Sequence, residues 1–334
     1  MNFERQAVYY SASSLSFASN MQIHTDIHHL PVFNKAVITI GTFDGVHKGH
    51  QKIIEQLLKA AEEIGGTAVL ITFYPHPKKV VSTHNKPLYI LNTPEEKYEL
   101  LQLKGIKNIV VVPFDKDFSE QTAKAYVEQF LIEKFHPHTI IIGYDHRFGN
   151  NREGDYHLLE EQAAIHGYKV KEIPEHVLQD ITISSTKIRE ALLNGDIETA
   201  AGYLGYRYFF SGKVVMGNQL GRTIGYPTAN IQIEDAQKLV PANGVYAVQV
   251  SLQGRKNWFK GMMNIGVRPT VDGTKRVIEV NVFDFDEMIY DETISITLHQ
   301  HLRSEVKFNG LDELKAQLAR DKVHALDSFE PSVL

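Results

Sequence analysis

The sequence contains no cysteine and a single tryptophan among its 334 residues. Without cysteine there is no disulfide framework, no thiolate zinc site and no cysteine nucleophile, a composition compatible with a reducing compartment. The sequence also lacks a run of about 18 apolar residues, the length that a membrane-spanning helix needs. We therefore expect a cytoplasmic protein that does not act through a membrane.

An excess of positive charge is missing as well, because the formal net charge is -5. Binding to the backbone of DNA or RNA needs a broad basic surface, so a nucleic-acid partner is not expected. Local sites for small anions stay possible. The hydrophobic fraction of 43% and the charged fraction of 22% are ordinary for a globular protein. The length predicts two domains, each with its own core.

The first twenty residues carry no hydrophobic periodicity and no apolar core of the length that a secretory signal needs. We predict that residues 1–20 form a disordered extension and that order begins near Met21.

In the first half of the chain, short β-branched runs alternate with amphipathic stretches. The runs are AVITIG (36–41), AVLITF (68–73), NIVVVPF (108–114) and TIIIGY (139–144). After Gly49, apolar residues recur at helical spacing until Gly65 and Gly66 end the pattern. This alternation predicts a doubly wound α/β domain with a parallel sheet over residues 21–204. Such sheets bind ligands at the carboxyl ends of their strands.

After Gly205 the pattern changes to strands without intervening helices, joined by Gly, Asn and Pro turns. This pattern predicts a small antiparallel β-barrel over residues 205–334. The last segment, GLDELKAQLARDKVHAL (310–326), has apolar residues near helical spacing. We expect it to form a helix that packs on the barrel.

One stretch in the first half combines three glycines with two histidines, ITIGTFDGVHKGHQ (38–51). Gly41, Gly45 and Gly49 lie where the first strand turns into the first helix, and a helix N-terminus attracts phosphate. His47 and His50, three residues apart, face one way across the first turn and can stabilise negative charge. The alternative interpretation is a solvated histidine pair beside a tight turn.

Several separate motifs resemble one family. TIGTFDGVHKGHQ, TFYPHP (72–77), GYDHRFGNNREGD (143–155) and ISSTKIRE (183–190) are similar to the adenylyltransferase half of bifunctional riboflavin kinase/FAD synthetases. GRTIGYPTANI (221–231), PANGVYAV, GMMNIGVRPT and VIEVNVFDF are similar to the riboflavin kinase half. The resemblance covers about residues 21–328, with the motifs in the order expected for the family.

For the first domain, the resemblance implies that ATP lies over the histidine turn. The phosphate of FMN then attacks the α-phosphorus of ATP, which yields FAD and pyrophosphate. His47 and His50 are the implied catalytic residues, and Asp145, Arg147 and Phe148 are the implied FMN contacts. The implied ATP contacts are Gly41, Phe43, Asp44, Gly45, Gly49, Ser184, Ser185, Thr186 and Arg189.

Without the family resemblance, the serines and threonine of ISSTKIRE are an ordinary helix cap, and Arg189 is a solvated arginine. Asp145, Arg147 and Phe148 are then simply a loop after a strand. His146 departs from the family, which often has an aromatic hydrocarbon ring at that position.

For the second domain, the resemblance implies riboflavin phosphorylation by ATP. Glu279 is the implied base that takes the proton of the riboflavin 5′-hydroxyl. Thr228 and Asn230, two residues apart, offer oxygens on one face of an extended segment, as a magnesium site requires. The implied ATP contacts are Gly217, Gly221, Arg222, Gly225 and Pro227.

The alternative interpretation of the second-domain residues is a mobile hairpin with a solvent-facing glutamate. Asn281 departs from the histidine that the family often has two residues after the glutamate.

The resemblance therefore implies riboflavin, FMN and ATP as partners and Mg²⁺ as cofactor. Two other functions stay open at the level of sequence. One is a nucleotidyltransferase for another phosphorylated small molecule, since the histidine turn alone does not identify the acceptor. The other is a flavin-binding regulator without turnover, which the departures at His146 and Asn281 leave possible.

Overall fold

A computed structural model describes residues 21–82, 88–174, 183–217, 220–255, 257–270 and 273–329. The predicted extension at residues 1–20 lies outside these ranges.

In the first half of the described chain, six strands form one parallel sheet. The order across the sheet is β1-β4-β3-β2-β5-β6, and every pairing is parallel. The strands are β1 (Gln22–His24), β2 (Val37–Ile40), β3 (Ala68–Tyr74), β4 (Asn108–Pro113), β5 (Thr139–Gly143) and β6 (Lys169–Ile173). The parallel sheet confirms the fold predicted for this half.

The central strands are buried on both faces. Alternate residues such as Ile38 and Ile140 pack in one core with Phe130 and Phe135. The residues that alternate with them along the strands, such as Val37, are equally inaccessible to solvent. The continuous Val/Ile runs are therefore explained by helices on both faces of the sheet.

Helices connect these strands. The first helix ends at Glu63, and Gly65 follows with a positive φ of 60°, as the two glycines predicted. The helices of this half span Lys48–Glu63, Pro77–Val81, Pro94–Leu103, Lys116–Ser119, Ala123–Ala125, Glu133–Phe135 and Tyr156–His166, with a π-helix at Tyr126–Ile132.

Two helices, Ser185–Leu193 and Ile197–Leu204, precede a closed antiparallel barrel in the second half of the described chain. The order around the barrel is β10-β11-β8-β7-β12-β9. Its strands are β7 (Phe209–Val215), β8 (Ala229–Gln232), β9 (Gly244–Leu252), β10 (Trp258–Thr270), β11 (Gly273–Val282) and β12 (Thr293–Arg303), and a short helix (Leu220–Thr223) lies between β7 and β8. The predicted barrel is confirmed.

The predicted C-terminal helix spans Leu311–Asp327. Ala325 is buried against Met262 of β10, and Leu318 packs beside them. Arg303, at the end of β12, donates hydrogen bonds to the buried carboxylate of Asp321, from Nε at 2.9 Å and 3.1 Å to the two oxygens and from Nη2 at 2.7 Å to Oδ2. Apolar burial and this bidentate ion pair together hold the helix on the barrel.

The chain divides into two compact units, but the division does not fall at the single position, Leu204, that the sequence indicated. The sheet unit contains residues 21–88 and 97–184, and the barrel unit contains Tyr89–Glu96 and the described residues from Ser185 onward. Within the barrel unit, Ile90 exchanges backbone hydrogen bonds with Gln237 and Leu239. The predicted domain ranges of 21–204 and 205–334 stay a prediction about autonomous folding.

The barrel unit contains a buried ion pair. Lys238 Nζ lies 2.5 Å from Glu96 Oε2 and 2.6 Å from the Leu91 carbonyl, and its side chain is inaccessible to solvent. Its ammonium also lies 4.7 Å from the centre of the Tyr208 ring. Glu96 and Thr93 form a reciprocal helix cap in addition. The segment Tyr89–Glu96 therefore supplies the counter-charge that a lysine inside this unit requires.

We expect Glu96→Gln to lower the free energy of unfolding of the barrel unit by about 3–5 kcal/mol, because it leaves a buried ammonium without its counter-charge. Glutamine preserves the helix cap, so the variant isolates the charge. Urea titration followed by Trp258 fluorescence measures the effect, since the protein's single tryptophan lies in β10 of this unit.

Asp291→Asn is the matched control in the same unit, because the Lys213–Asp291 pair is 41% and 83% exposed. It should cost less than about 1 kcal/mol. Combining Glu96→Leu with Lys238→Met should recover most of the loss, since an apolar pair needs no counter-charge. A Glu96→Gln protein as stable as the Asp291→Asn control would contradict the importance of the pair.

Candidate active sites

The backbone between β2 and the first helix is sharply bent. Phe43, Gly45 and Val46 have positive φ values of 48°, 85° and 35°. Of the three glycines in this stretch, Gly45 is the one in the left-handed region. Gly41 and Gly49 instead provide space for neighbouring rings. A Cβ at Gly41 would lie 3.1 Å from the Phe43 ring, and a Cβ at Gly49 would lie 3.2 Å from the His47 ring.

The two histidines of this turn stack on each other. Their ring centroids lie 3.7 Å apart with an interplanar angle of 17°. His47 caps the helix, since its Nδ1 accepts the backbone N–H of His50 at 3.4 Å. The cap fixes the His47 tautomer with the proton on Nε2. The first turn of the helix carries no acidic side chain.

The electrostatics of the turn favour a neutral His50. Burial lowers the pKa of His50 well below its usual value, and His47 and Lys97 lower it further. Its Nδ1 is buried without a hydrogen-bond partner among the described residues. Asp44 is buried as well, at 4% exposure. The turn thus holds a neutral imidazole and a carboxylate close to a buried lysine.

The four ISSTKIRE residues lie at the start of the helix Ser185–Leu193. Ser184 belongs to the sheet unit, whereas Ser185, Thr186 and Arg189 belong to the barrel unit. Arg189 is half-buried, and its Nε donates a 2.6 Å hydrogen bond to the Tyr89 carbonyl. Their contact with ATP stays a prediction.

The predicted FMN residues follow β5 and have three different environments. Asp145 is exposed. Arg147 forms a 2.7 Å ion pair with Asp155, which caps the helix Tyr156–His166. Phe148 is 6% exposed and stacks on Tyr126 at 5.1 Å. Arg147 and Phe148 therefore both fix the loop, and their contact with flavin stays a prediction.

His146 behaves as an uncharged ring. It lies 5.9 Å from the Phe148 ring centroid, with an interplanar angle of 32°. Burial lowers the pKa of His146 to about 4; Asp145 opposes this and Arg152 adds to it. A neutral imidazole at physiological pH is a planar aromatic ring, so the departure at His146 preserves the aromatic character that the family often has there.

In the barrel unit, a cavity of about 230 Å³ opens beside β10 and β11. Thr228, Glu279 and Asn281 line it, together with Gly221 and Arg268. Further lining residues come from the end of β12, the following loop and the C-terminal helix: Arg303, Glu305, Val306, Phe308, Leu314 and Leu318. The cavity thus brings together the predicted base, one predicted magnesium ligand and a glycine of the predicted ATP loop.

The second predicted magnesium ligand, Asn230, pairs directly with Glu279 across β8 and β11. Side chains of directly paired residues lie about 5 Å apart at Cβ, so the predicted base and the predicted ligand are neighbours. A Cβ at Gly217 would clash with the Asn230 amide, and one at Gly221 would lie 3.4 Å from Thr228 Oγ1. Gly217 therefore leaves the space that the Asn230 amide occupies, whereas a Cβ at Gly221 would overlap the Tyr226 carbonyl.

Arg222 and Pro227 are exposed, and Gly225 has a positive φ of 86°. Among the described residues, no group of three or more His, Cys, Asp or Glu side chains could hold a metal. A site with two neutral oxygens fits a cation that takes its other ligands from water and phosphate.

Two further contacts organise the barrel cavity. Arg268 Nη2 lies 2.6 Å from Glu279 Oε2, and the glutamate side chain is 16% exposed. Asn281 Nδ2 donates a 2.6 Å hydrogen bond to the Pro227 carbonyl. Asn281 thereby anchors the segment that leads to Thr228. Its amide makes this contact although the family often has a histidine at this position.

Two functional candidates were missed at the sequence level. Arg268 lies inside GMMNIGVRPT, a motif that indicated the family but not the pairing with Glu279. Lys97 lies in a helix of charged residues, where a lysine is ordinarily solvated. Its burial depends on strands that are distant in the sequence, so no local pattern indicates it.

Two family models match the chain. The FAD synthetase model matches residues 30–187, and the riboflavin kinase model matches residues 204–329. A relative from Haemophilus influenzae, a bifunctional riboflavin kinase/FMN adenylyltransferase, is 36% identical over 90% of this chain and 97% of its own. Relatives of the same name from Escherichia coli (strain K12) and Bacillus subtilis are 35% and 37% identical, over 92% and 88% of this chain and 98% and 93% of their own.

A solved structure described as a macrolide-efflux protein from Streptococcus pneumoniae has a TM-score of 0.81 and 30% identity. The match covers 92% of this chain and 99% of that one. Within the described ranges, no helix combines the length and apolarity needed to cross a membrane.

The pKa of about 4 predicts how His146 contributes to stability. Between about pH 6.5 and pH 4, the unfolded chain binds a proton at this histidine and the folded chain does not, so stability falls as the pH falls. His146→Phe should therefore have a flatter dependence of Tm on pH over this window, with an unchanged Tm near pH 8. A His146→Phe profile parallel to that of the unchanged protein would show that His146 is not held neutral.

Proposed function

This chain belongs to the bifunctional riboflavin kinase/FMN adenylyltransferase family, and from that premise we propose how its residues divide the two reactions. The protein phosphorylates riboflavin to FMN with ATP and adenylylates FMN to FAD with a second ATP, releasing pyrophosphate. This activity replaces the two other functions that the sequence left open.

In the proposed adenylyl transfer, ATP lies on the turn between β2 and the first helix. The stacked His47 and His50 are the observation that carries this assignment. The helix N-terminus attracts the phosphates, and a neutral His50 donates a hydrogen bond as charge develops on them. Gly41, Phe43, Asp44, Gly45 and Gly49 shape the nucleotide site.

Ser184, Ser185, Thr186 and Arg189 supply further phosphate contacts in this proposal. Asp145, Arg147 and Phe148 form the FMN side of the site. Phe148 is buried, so its role is to support the flavin-binding loop through packing. No covalent intermediate is needed, because the FMN phosphate itself is the nucleophile.

In the proposed phosphorylation, Glu279 accepts the proton of the riboflavin 5′-hydroxyl as that oxygen attacks the γ-phosphate of ATP. Its place in the cavity wall, paired with Asn230, supports this role. Gly217, Gly221, Arg222, Gly225 and Pro227 form the ATP loop.

Thr228 and Asn230 would hold Mg²⁺, whose role when bound is to neutralise the charge of the nucleotide phosphates. The space that Gly217 leaves for the Asn230 amide supports this assignment. A second Mg²⁺ requirement in adenylyl transfer is part of the same proposal.

We assign adenylyl transfer to residues 21–204 and phosphorylation to residues 205–334. The matches of the two family models to residues 30–187 and 204–329 support this division. A cytoplasmic location and the absence of a nucleic-acid partner stay predictions from composition.

A double dissociation tests the assignment. Glu279→Ala should lose about 10²- to 10⁴-fold in riboflavin phosphorylation, as expected for a general base, and retain FAD formation from supplied FMN. His50→Ala should lose about 10²- to 10³-fold in FAD formation and accumulate FMN from riboflavin. Chromatography of the flavins after incubation with ATP and Mg²⁺ measures both reactions.

Lys52→Ala is the control for the helix substitution, because Lys52 is exposed and follows His50 by two residues. Circular dichroism establishes that each variant is folded. Equal loss of both activities in two folded variants would refute the assignment of one chemistry to each site.

A further inference from the structure

Lys97 is a buried lysine that the proposed mechanism does not use. The residue is 8% exposed, and its Nζ donates hydrogen bonds to Thr72 Oγ1 at 3.0 Å and to the Thr42 carbonyl at 3.4 Å. Thr72 Oγ1 donates to the same carbonyl at 3.1 Å. A lysine is almost never this deeply buried without a specific partner, because removal of an ammonium from water is costly.

The contacts of Lys97 lie at the carboxyl edge of the sheet. Thr42 is the second residue after β2 and begins the turn that leads to His47, and Thr72 lies near the end of β3. β2 and β3 are hydrogen-bonded neighbours. The ammonium is therefore tied to both strands where the proposed nucleotide site begins, and all these residues belong to the sheet unit.

The charges that face Lys97 come from the same turn and helix. Asp44 attracts the ammonium, and burial and the positive charge of the ammonium lower the pKa of His50. The carboxylate of the preceding Glu96 is engaged with Lys238. Burial outweighs the attraction of Asp44 and lowers the pKa of Lys97 to about 8. The Lys97 side chain is thus protonated at neutral pH and loses its proton at a slightly higher pH.

We propose that Lys97 is a positioning residue for adenylyl transfer: its ammonium holds the Thr42 carbonyl, and with it the turn that carries Asp44 and His47. The bent backbone from Phe43 to Val46 needs such an anchor, because positive φ values at non-glycine residues are unfavourable by themselves. This inference rests on the proposed role of the histidine turn.

Lys97→Met removes the charge and both hydrogen bonds while preserving volume. We expect about a 10²-fold loss of kcat/KM for FAD formation from FMN and ATP, the size expected when a reacting group is misplaced. Riboflavin phosphorylation by the same sample should stay within twofold, which shows that the barrel unit is folded, and an unchanged circular dichroism spectrum shows that the sheet unit is folded as well. Lys104→Met, a half-buried lysine just after the same helix, is the matched control and should change neither reaction.

A pH profile separates positioning by the ammonium from a merely structural role. For the unchanged protein, kcat/KM for FAD formation should fall above about pH 8, as Lys97 loses its proton. Lys97→Arg should keep part of the activity and lose this alkaline decline, because arginine stays protonated. If Lys97→Met misfolds and loses both reactions, the pH profile of Lys97→Arg tests the proposal in its place.

Two results overturn the inference: FAD formation by Lys97→Met within twofold of the unchanged protein, or an alkaline decline that persists unaltered in Lys97→Arg. His50→Ala measured in parallel distinguishes a failure of the role proposed for Lys97 from a failure of the proposed adenylyl-transfer site. Loss in His50→Ala with no loss in Lys97→Met refutes the role of Lys97 alone. No loss in His50→Ala refutes the proposed site itself.

Discussion

Both candidate sites depend on glycines, because side chains lie so close to the backbone at these positions that a Cβ atom would crowd them. In the sheet unit, the Phe43 and His47 rings lie against Gly41 and Gly49. In the barrel unit, the Asn230 amide occupies the space that a Cβ at Gly217 would fill. A Cβ at Gly217 would overlap the Asn230 amide. A Cβ at Gly41 or Gly49 would be closer to the Phe43 or His47 ring than in ordinary contacts, so these glycines limit where the side chains can lie.

Each unit also contains a lysine that is removed from solvent, and the two are stabilised differently. Lys238 has a direct carboxylate partner in Glu96, which makes it a structural ion pair. Within the part of the chain that the structure describes, the ammonium of Lys97 donates to a hydroxyl and a carbonyl, and Asp44 attracts it electrostatically. An ammonium paired with a carboxylate suits a core, whereas one held by neutral oxygens suits the positioning role proposed for Lys97.

Local patterns predicted the central strands and the barrel, because buried β-branched runs and turn residues act over a few positions. They missed the edge strands β1 and β6, of which the first has three residues and the second alternates polar side chains. They located Glu279 and the histidine turn through motifs. They could not indicate the Lys238–Glu96 pair, whose partners are 142 positions apart, because only the folded chain brings such residues together.

The most direct test of the glycine constraint is kcat/KM for riboflavin phosphorylation in Gly217→Ala, with Gly202→Ala as control. A Cβ at Gly202 meets no atom within 4 Å, and the residue lies in a helix where alanine is favourable. The account predicts a loss of at least about tenfold in Gly217→Ala, the order expected when a reacting group is displaced, with FAD formation from supplied FMN unchanged in both variants. Phosphorylation by Gly217→Ala at the rate of the Gly202→Ala control would contradict it.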